Sequence, residues 1–150
     1  RPFLDAAERG RMPITYHTGC AEGWGARSDC VSPPACARLA RQFPGLPILM
    51  AHCGTFGGAQ GFDDAVAACE AYPNLYLEAT GALGPVGRDP WRRAIERLGP
   101  GRVVYGRDYP WASVQMVEED LAFVDSLGLD ENGREMLLGG SLEALWRCAD

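Results

Sequence analysis

The sequence is poor in several features that define whole classes of protein. It contains only two histidines, and none of its apolar runs approaches the roughly 20 residues that a membrane span requires. Fourteen basic residues against 20 acidic ones leave a net charge of −6, and no basic stripe is present. We therefore expect neither nucleic acid nor a membrane as a partner, and a small molecule as the ligand class that remains.

Its six cysteines show neither a CxxC pair nor the spacing of a zinc finger. Cys36 and Cys69 fall at apolar positions of predicted helices, which favours small buried side chains over disulfides. Cys53 follows His52 directly, so a nucleophile or a soft metal ligand is the alternative at that position. The chain opens on RPFLDAAERG, which has no apolar signal segment. Reduced thiols and an acidic surface predict a cytoplasmic protein.

Four short apolar runs each end in a polar residue next to a turn. They are PITYHTG, LPILMAHCG, NLYLEATG and RVVYGRDYPW, and the polar residues are His17, His52, Glu78 and Asp108. Each run has the length and composition of a buried β-strand, and the last one ends near Asp108 because Pro110 lacks the N–H that a central strand needs. Both histidines thus lie at predicted strand ends. In parallel α/β folds, the carboxyl ends of the strands are where ligands bind.

Helical segments separate and follow these strands. The pattern predicts helices after the Ser32 cap, over Phe62–Tyr72, from Asp89 and Pro90 to Leu98, over Val114–Leu127, and as a final pair, Glu131–Leu138 and Leu142–Cys148. The strand ends recur about every thirty residues, the repeat of a (β/α)8 barrel of ~250 residues, so only four units fit. The chain is either a complete small parallel sheet or a barrel fragment. A fragment leaves two sheet edges uncovered, which calls for a second copy or for the missing half-barrel.

Two imidazoles and a carboxylate at neighbouring strand ends suit a divalent metal. His17, His52 and Asp108 are the candidate ligands, with zinc as the first choice and manganese or iron as alternatives. A bound metal lowers the pKa of its water, and Asp108 could take the proton and return it to a leaving group. The alternative is that both histidines are hydrogen-bonded core residues and that Asp108 is a turn residue.

Four further residues are candidates for substrate binding. Glu78 could point into the site or pair with an arginine, and Arg107 could bind a substrate carboxylate or form an outward ion pair. Trp24 and Trp111 lie in loops at the presumed mouth of the site. They could form an aromatic wall or pack beneath the loops.

The motifs YHTG, LMAHCGTFGG, PNLYLEATG, ERLGPGRVVYGRDYPW and REMLLGGSLEALW together resemble the C-terminal half of the amidohydrolase-related branch of the amidohydrolase superfamily. The resemblance implies that residues 1–150 are the C-terminal half of a (β/α)8 (TIM) barrel, with about four βα units that correspond to strands five to eight. It also implies a metal-dependent hydrolase of C–N or C–O bonds, or a non-oxidative decarboxylase, acting on small carboxylated or aromatic compounds.

The resemblance assigns roles to three residues. His17 matches the strand-five metal ligand, His52 matches the strand-six histidine that binds a second metal or acts on the substrate, and Asp108 matches the strand-eight ligand and proton shuttle. Arg107 stands where serine is common and Ser141 where asparagine is usual. The H-x-H pair of strand one has no counterpart, because the chain has no other histidine.

Two rival hypotheses remain open at the level of sequence. The chain could be a truncated, catalytically inactive barrel fragment that serves binding or assembly. It could also be a small flavodoxin-like sheet that binds an anionic ligand and is stable without metal or partner.

Overall fold

A computed structural model describes residues 1–19, 32–80 and 86–147. Strands and helices alternate along the chain, as the spacing of the apolar runs predicts. The strands are β1 (Ile14–His17), β2 (Ile48–Ala51), β3 (Leu75–Glu78) and β4 (Val103–Val104). The helices are α1 (Pro2–Arg9), α2 (Pro33–Gln42), α3 (Gly58–Ala71), α4 (Arg88–Leu98), α5 (Val114–Asp125), α6 (Glu131–Glu135) and α7 (Ser141–Arg147). None of the helices in these ranges is long and apolar enough to cross a membrane.

The four strands form one parallel sheet in the order β1-β2-β3-β4. The crossovers between consecutive strands contain α2, α3 and α4 in turn, so all the strands point the same way and their carboxyl ends meet at one edge. The predicted α/β class and the predicted alternation are confirmed.

The register of the sheet divides the strand side chains between two faces. One face packs against the helices and forms the main core with Ile48, Met50, Leu75, Leu77 and Val103. The opposite face carries a row of register partners from the four strands, His17, Ala51, Glu78 and Val104. Both His17 and Glu78 are therefore on the face that does not meet the core helices.

The last strand is shorter than predicted. β4 ends at Val104, where the Ala79 N–H donates to the Val104 carbonyl, and the next N–H, that of Tyr105, donates to Leu137 instead of to a strand. β3 has already ended at Glu78, so it offers the chain no ladder partner beyond Val104. Residues 105–108 leave the sheet, and the expectation that the strand runs to Asp108 is wrong.

Three helix starts also differ from the sequence prediction. α4 begins at Arg88 after Gly87, whose φ of 77° is left-handed, so Asp89 lies in the first turn and is not the cap. α3 begins at Gly58, four residues before the predicted Phe62. The last helix, α7, begins at Ser141, one residue before the predicted Leu142, and the Ser141 hydroxyl donates to the Met136 carbonyl at 2.7 Å.

Candidate active site

The two histidines of the chain meet at the carboxyl edge of the sheet. His17 is the last residue of β1, and His52 follows the end of β2. Their ring centroids are 4.6 Å apart and the rings are inclined at 64°. His17 is exposed whereas His52 is buried, so the pair extends from the protein interior to the surface.

A backbone carbonyl determines which nitrogen of His52 carries the proton. His52 Nδ1 lies 2.9 Å from the carbonyl oxygen of Thr80, just beyond the end of β3. A carbonyl can only accept, so Nδ1 must be the donor, and the lone pair of the neutral ring is on Nε2. This arrangement suits a metal-binding or proton-accepting imidazole, because a hydrogen bond at one ring nitrogen fixes the orientation in which the other nitrogen binds a metal or a proton.

The backbone beside His52 turns through three consecutive left-handed residues. The φ angles are 62° at His52, 49° at Cys53 and 70° at Gly54. The Thr18 hydroxyl bridges this turn, since it donates to the Ala51 carbonyl at 2.7 Å and accepts from the Gly54 N–H at 2.8 Å. Left-handed backbone at residues with a Cβ persists only where surrounding contacts enforce it, and such positions cluster at functional sites.

Cys53 contributes a hydrogen bond to this turn. Its buried Sγ donates to the Glu78 carbonyl at 2.9 Å, and burial raises the pKa of the thiol well above its ordinary value. A buried, protonated donor is a structural thiol and not an activated nucleophile. Of the two alternatives for Cys53, the structure favours the structural one.

Asp108 follows β4, the strand on the opposite side of the sheet from β1. It is exposed and has a φ of 51°, and its carbonyl accepts from the Trp111 N–H at 2.9 Å. Burial and the neighbouring His52 lower the pKa of His17, and the Asp108 carboxylate opposes that shift. Asp108 is therefore within electrostatic reach of His17, which is in ring contact with His52.

Glu78 lies behind this group, on the same face of the sheet as His17. Its carboxylate is buried and accepts a short hydrogen bond from the Thr80 hydroxyl. Burial raises the pKa of Glu78, and the Thr80 hydrogen bond opposes the shift. A Cβ built on Gly106 would lie 2.2 Å from Glu78 Oε1 and 2.6 Å from Thr80 Oγ1, so the backbone of the following loop packs directly on the pair.

The other predicted substrate-binding residues have different surroundings. Arg107 Nε and Nη2 donate to Asp120 of α5 at 2.6 and 3.0 Å, which is the ion-pair alternative of the sequence interpretation. Substrate binding by Arg107 stays a prediction. Trp111 is 81% exposed beside Asp108 and so presents an open aromatic face. Trp24 lies outside the described residues.

The donor types match a metal site, but their number falls short. Imidazole and carboxylate groups are ordinary ligands of zinc, manganese and iron. Within residues 1–19, 32–80 and 86–147, however, no group of three or more His, Cys, Asp or Glu side chains is arranged to hold a metal ion. A catalytic centre needs about three protein ligands plus an open position, so the described residues form an incomplete centre. The metal role of His17, His52 and Asp108 stays a prediction.

A family model described as amidohydrolase matches residues 1–147 of the chain. The chain belongs to the amidohydrolase family. This confirms the resemblance drawn from the sequence motifs. No match is found among curated proteins.

Solved structures similar to this amidohydrolase-family chain are barrels of about twice its length. A TIM-barrel protein from Bordetella bronchiseptica matches with a TM-score of 0.80 and 21% identity, over 99% of this chain and 50% of that one. The 5-carboxyvanillate decarboxylase of Sphingomonas paucimobilis matches with a TM-score of 0.67 and 18% identity, over 98% and 52%. A manganese-bound dihydroxybenzoic acid decarboxylase from Polaromonas matches with a TM-score of 0.67 and 14% identity, over 99% and 54%.

These similarities establish the fold of the amidohydrolase-family chain as a TIM-barrel fragment. The chain spans about half the length of the structures it matches. Sequence reasoning missed Thr80, Thr18 and Asp120, which hold the site residues in place. Only Thr18 had a local signal, since it directly follows His17, whereas the roles of Thr80 and Asp120 depend on contacts between distant segments.

Proposed function

We propose that this chain forms half of the active site of a metal-dependent amidohydrolase-family enzyme. The enzyme would hydrolyse a C–N or C–O bond, or remove a carboxyl group, in a small carboxylated or aromatic substrate. The observation that carries the proposal is the contact between the His17 and His52 rings at the carboxyl edge of a parallel sheet, with Asp108 within electrostatic reach of His17. The decarboxylases among the similar structures support an aromatic carboxylate as the substrate class.

Asp108 is the proposed proton shuttle. In hydrolysis its carboxylate would take a proton from the attacking water and return it to the departing nitrogen or oxygen. In decarboxylation the protonated carboxyl would deliver its proton to the ring carbon that loses carbon dioxide, and the electrons of the broken C–C bond would form the new C–H bond. The exposure of Asp108 at the edge of the sheet gives a substrate access to it.

His52 is proposed to act on the substrate through Nε2. Because Nδ1 donates to the Thr80 carbonyl, Nε2 can accept a hydrogen bond from a substrate hydroxyl or from water. Trp111 would contact the substrate ring, and so would Trp24, which follows β1 in the sequence. Glu78 would line the base of the pocket behind the histidines.

A divalent metal, with zinc before manganese or iron, would be held by His17 and Asp108 together with ligands from outside the described residues. His52 would join them where its Nε2 binds metal instead of substrate. The shortage of ligands favours a second candidate function, a catalytically inactive fragment that serves binding or assembly. The two candidates differ in whether the purified chain holds metal and turns over a substrate.

The test compares the wild-type chain with Asp108→Asn, supplied with Zn²⁺ or Mn²⁺. Release of carbon dioxide from hydroxybenzoates and hydrolysis of aryl lactones and amides are measured, together with bound metal by elemental analysis. We expect Asp108→Asn to lower turnover by about 10²- to 10⁴-fold, the usual contribution of a general acid–base. Equal turnover in both proteins would contradict the role of Asp108, and a wild-type chain with neither metal nor turnover would support the scaffold.

A further inference from the structure

The loop that carries Asp108 is attached to the rest of the protein through alternate residues. Its backbone leaves the sheet at Tyr105. The side chains of Tyr105 and Arg107 both reach α5, whereas Gly106 packs on the Glu78–Thr80 pair at the carboxyl edge of the sheet. Residues 105 and 107 thus anchor the loop on one side, while residue 106 faces the site.

Both anchors meet on a single carboxylate, and Arg107 Nη2 also donates to the Met116 carbonyl of α5 at 3.4 Å. Asp120 Oδ2 accepts from Arg107 Nε at 2.6 Å and from the Tyr105 hydroxyl at 3.1 Å, and Oδ1 accepts from Arg107 Nη2 at 3.0 Å. A bidentate pair between a guanidinium and a carboxylate restricts orientation as well as distance. Three of the roughly four acceptor positions of the Asp120 carboxylate therefore bind this one loop.

This ion pair differs from the others that the structure describes. The side chains of Arg107 and Asp120 are only 12% and 6% exposed. Those of Arg134 and Asp125, an ion pair that joins α6 to the end of α5, are 47% and 59% exposed. A buried, bidentate pair is screened little by solvent, while an exposed pair contributes almost nothing. The buried Arg107–Asp120 pair can therefore hold the loop in one conformation.

The loop needs such support because Asp108 has a left-handed backbone. Its φ of 51° is unfavourable for a residue with a Cβ and persists only where surrounding contacts enforce it. The Asp108 carbonyl also begins a turn, in which it accepts a hydrogen bond from the Trp111 N–H. Arg107, immediately before Asp108, connects this part of the loop to α5 through its side chain.

We propose that Asp120 is a positioning residue that holds Asp108 at the site through Arg107 and Tyr105. The expected effect of Asp120 on turnover rests on the proposed function, whereas its expected effect on the loop does not. Loss of the Asp120 carboxylate removes three hydrogen bonds between the loop and α5 and leaves the longer one from Arg107 to the Met116 carbonyl. The Asp108 carboxylate then no longer has one fixed position relative to His17 and His52.

The structural arm of the test is amide hydrogen exchange in the 150-residue chain. We expect Asp120→Asn to raise the exchange rate of the Trp111 amide by about tenfold or more, relative to the Ile48 amide in β2, because the turn that contains the Trp111 amide is held less firmly to α5 and opens more often. Tyr105→Phe and Arg107→Lys each remove part of the anchor and should give smaller increases. If Asp120→Asn does not fold, Tyr105→Phe and Arg107→Lys replace it in this test. Asp120→Glu, which keeps a carboxylate, should restore part of the protection.

Asp125→Asn is the matched control. It removes the same kind of group from the same helix, but from the exposed ion pair with Arg134. It should leave the Trp111 amide and turnover unchanged.

The catalytic arm measures kcat and KM on the substrate identified for the wild-type chain. We expect Asp120→Asn to lower kcat by about 10- to 100-fold with little change in KM, since misplacement of a reacting group by about 1 Å costs that much. An unchanged Trp111 amide in Asp120→Asn overturns the inference, even if Asp108→Asn abolishes turnover. If Asp108→Asn retains full turnover, the proposed function fails, while faster Trp111 exchange in Asp120→Asn still supports the anchor.

Discussion

Gly106 is the residue at which the loop to Asp108 and the end of β3 come closest. A Cβ at this position would overlap Glu78 Oε1 at 2.2 Å and Thr80 Oγ1 at 2.6 Å. The Thr80 carbonyl in turn holds His52 Nδ1. A side chain at position 106 would therefore displace Thr80 and, through it, His52. It would also shift the backbone that leads to Asp108, two residues later.

We expect Gly106→Ala to destabilise the fold by about 1–3 kcal/mol, the usual effect of overpacking a close contact. It should also lower turnover, because the Glu78–Thr80 pair must move. Urea unfolding and steady-state kinetics measure the two effects. Gly101→Ala is the control, since its Cβ would meet only Met136 Cε at 3.5 Å and should be nearly neutral. Equal stabilities of the two variants would contradict the packing described here.

Three buried thiols give the fold a characteristic response to alkaline pH. Cys36, Cys53 and Cys69 are buried and unpaired with one another, as expected from the apolar positions of Cys36 and Cys69 in the sequence. Burial raises the pKa of Cys36 and of Cys69 to about 12, from an ordinary value of 9.0. The unfolded chain therefore loses these protons at a lower pH than the folded chain does.

Because the folded pKa is the higher one, the stabilising contribution is fully present below pH 9 and is lost as pH rises towards 12. We expect each of these two thiols to lower the free energy of unfolding by about 1.4 kcal/mol between pH 8 and pH 10. Urea unfolding at the two pH values measures this change. Cys69→Ala should show a smaller drop than the wild type, and an identical drop would exclude the thiol as its source.

At the scale of elements, the ends of two helices are held by side chains that directly precede later strands. Asn74 Nδ2, just before β3, donates to the carbonyls of Ala40, Phe43 and Leu46 around the end of α2. Arg102, just before β4, donates to carbonyls around the end of α3, those of Cys69, Tyr72 and Leu75. Both clusters lie at the amino edge of the sheet, opposite the site, and satisfy carbonyls that a helix end leaves without partners.

We expect Asn74→Asp to destabilise the fold by about 2–3 kcal/mol without lowering the turnover of the folded protein. The substitution keeps the shape but replaces a donor with an acceptor that faces three carbonyls, and unsatisfied buried groups cost this much. Asn132→Asp, at an exposed position of α6, is the control. A stable Asn74→Asp variant would mean that these carbonyls find other partners.

The sequence predicts the four βα units well because each apolar run is short, buried and bounded by turn residues. It fails at two places around the site. The left-handed turn over His52, Cys53 and Gly54 depends on the Thr18 hydroxyl and on a carbonyl of β3, which no local pattern encodes. The early end of β4 depends on the length of β3 and on Leu137, which is more than thirty residues away along the chain.

At the scale of the whole molecule, the described sheet has two open edges. β1 pairs only with β2, and β4 pairs only with β3, among the described residues. The similar structures are barrels of about twice the length, in which such edges are joined to further strands. We therefore propose that the working form of this chain pairs with a second copy or with a further half-barrel.

For the 150-residue chain alone, we expect self-association at micromolar concentrations, because exposed parallel edges pair readily. Sedimentation equilibrium measures it. Thr15→Lys places a charge on the exposed face of β1 and should shift the population towards monomer, while Gln42→Lys on α2 should not. A wild-type chain that is monomeric at all concentrations would contradict the proposal.

The left-handed turn at His52, Cys53 and Gly54 also limits how this site can change in evolution. Branched side chains such as valine, isoleucine and threonine clash with a backbone of this hand, whereas glycine and asparagine accept it. In a saturation library over these positions, selection for expression alone would already deplete the branched residues. A narrow set of amino acids recovered at these positions would therefore result mainly from the backbone conformation, and only secondarily from a requirement for catalytic side chains.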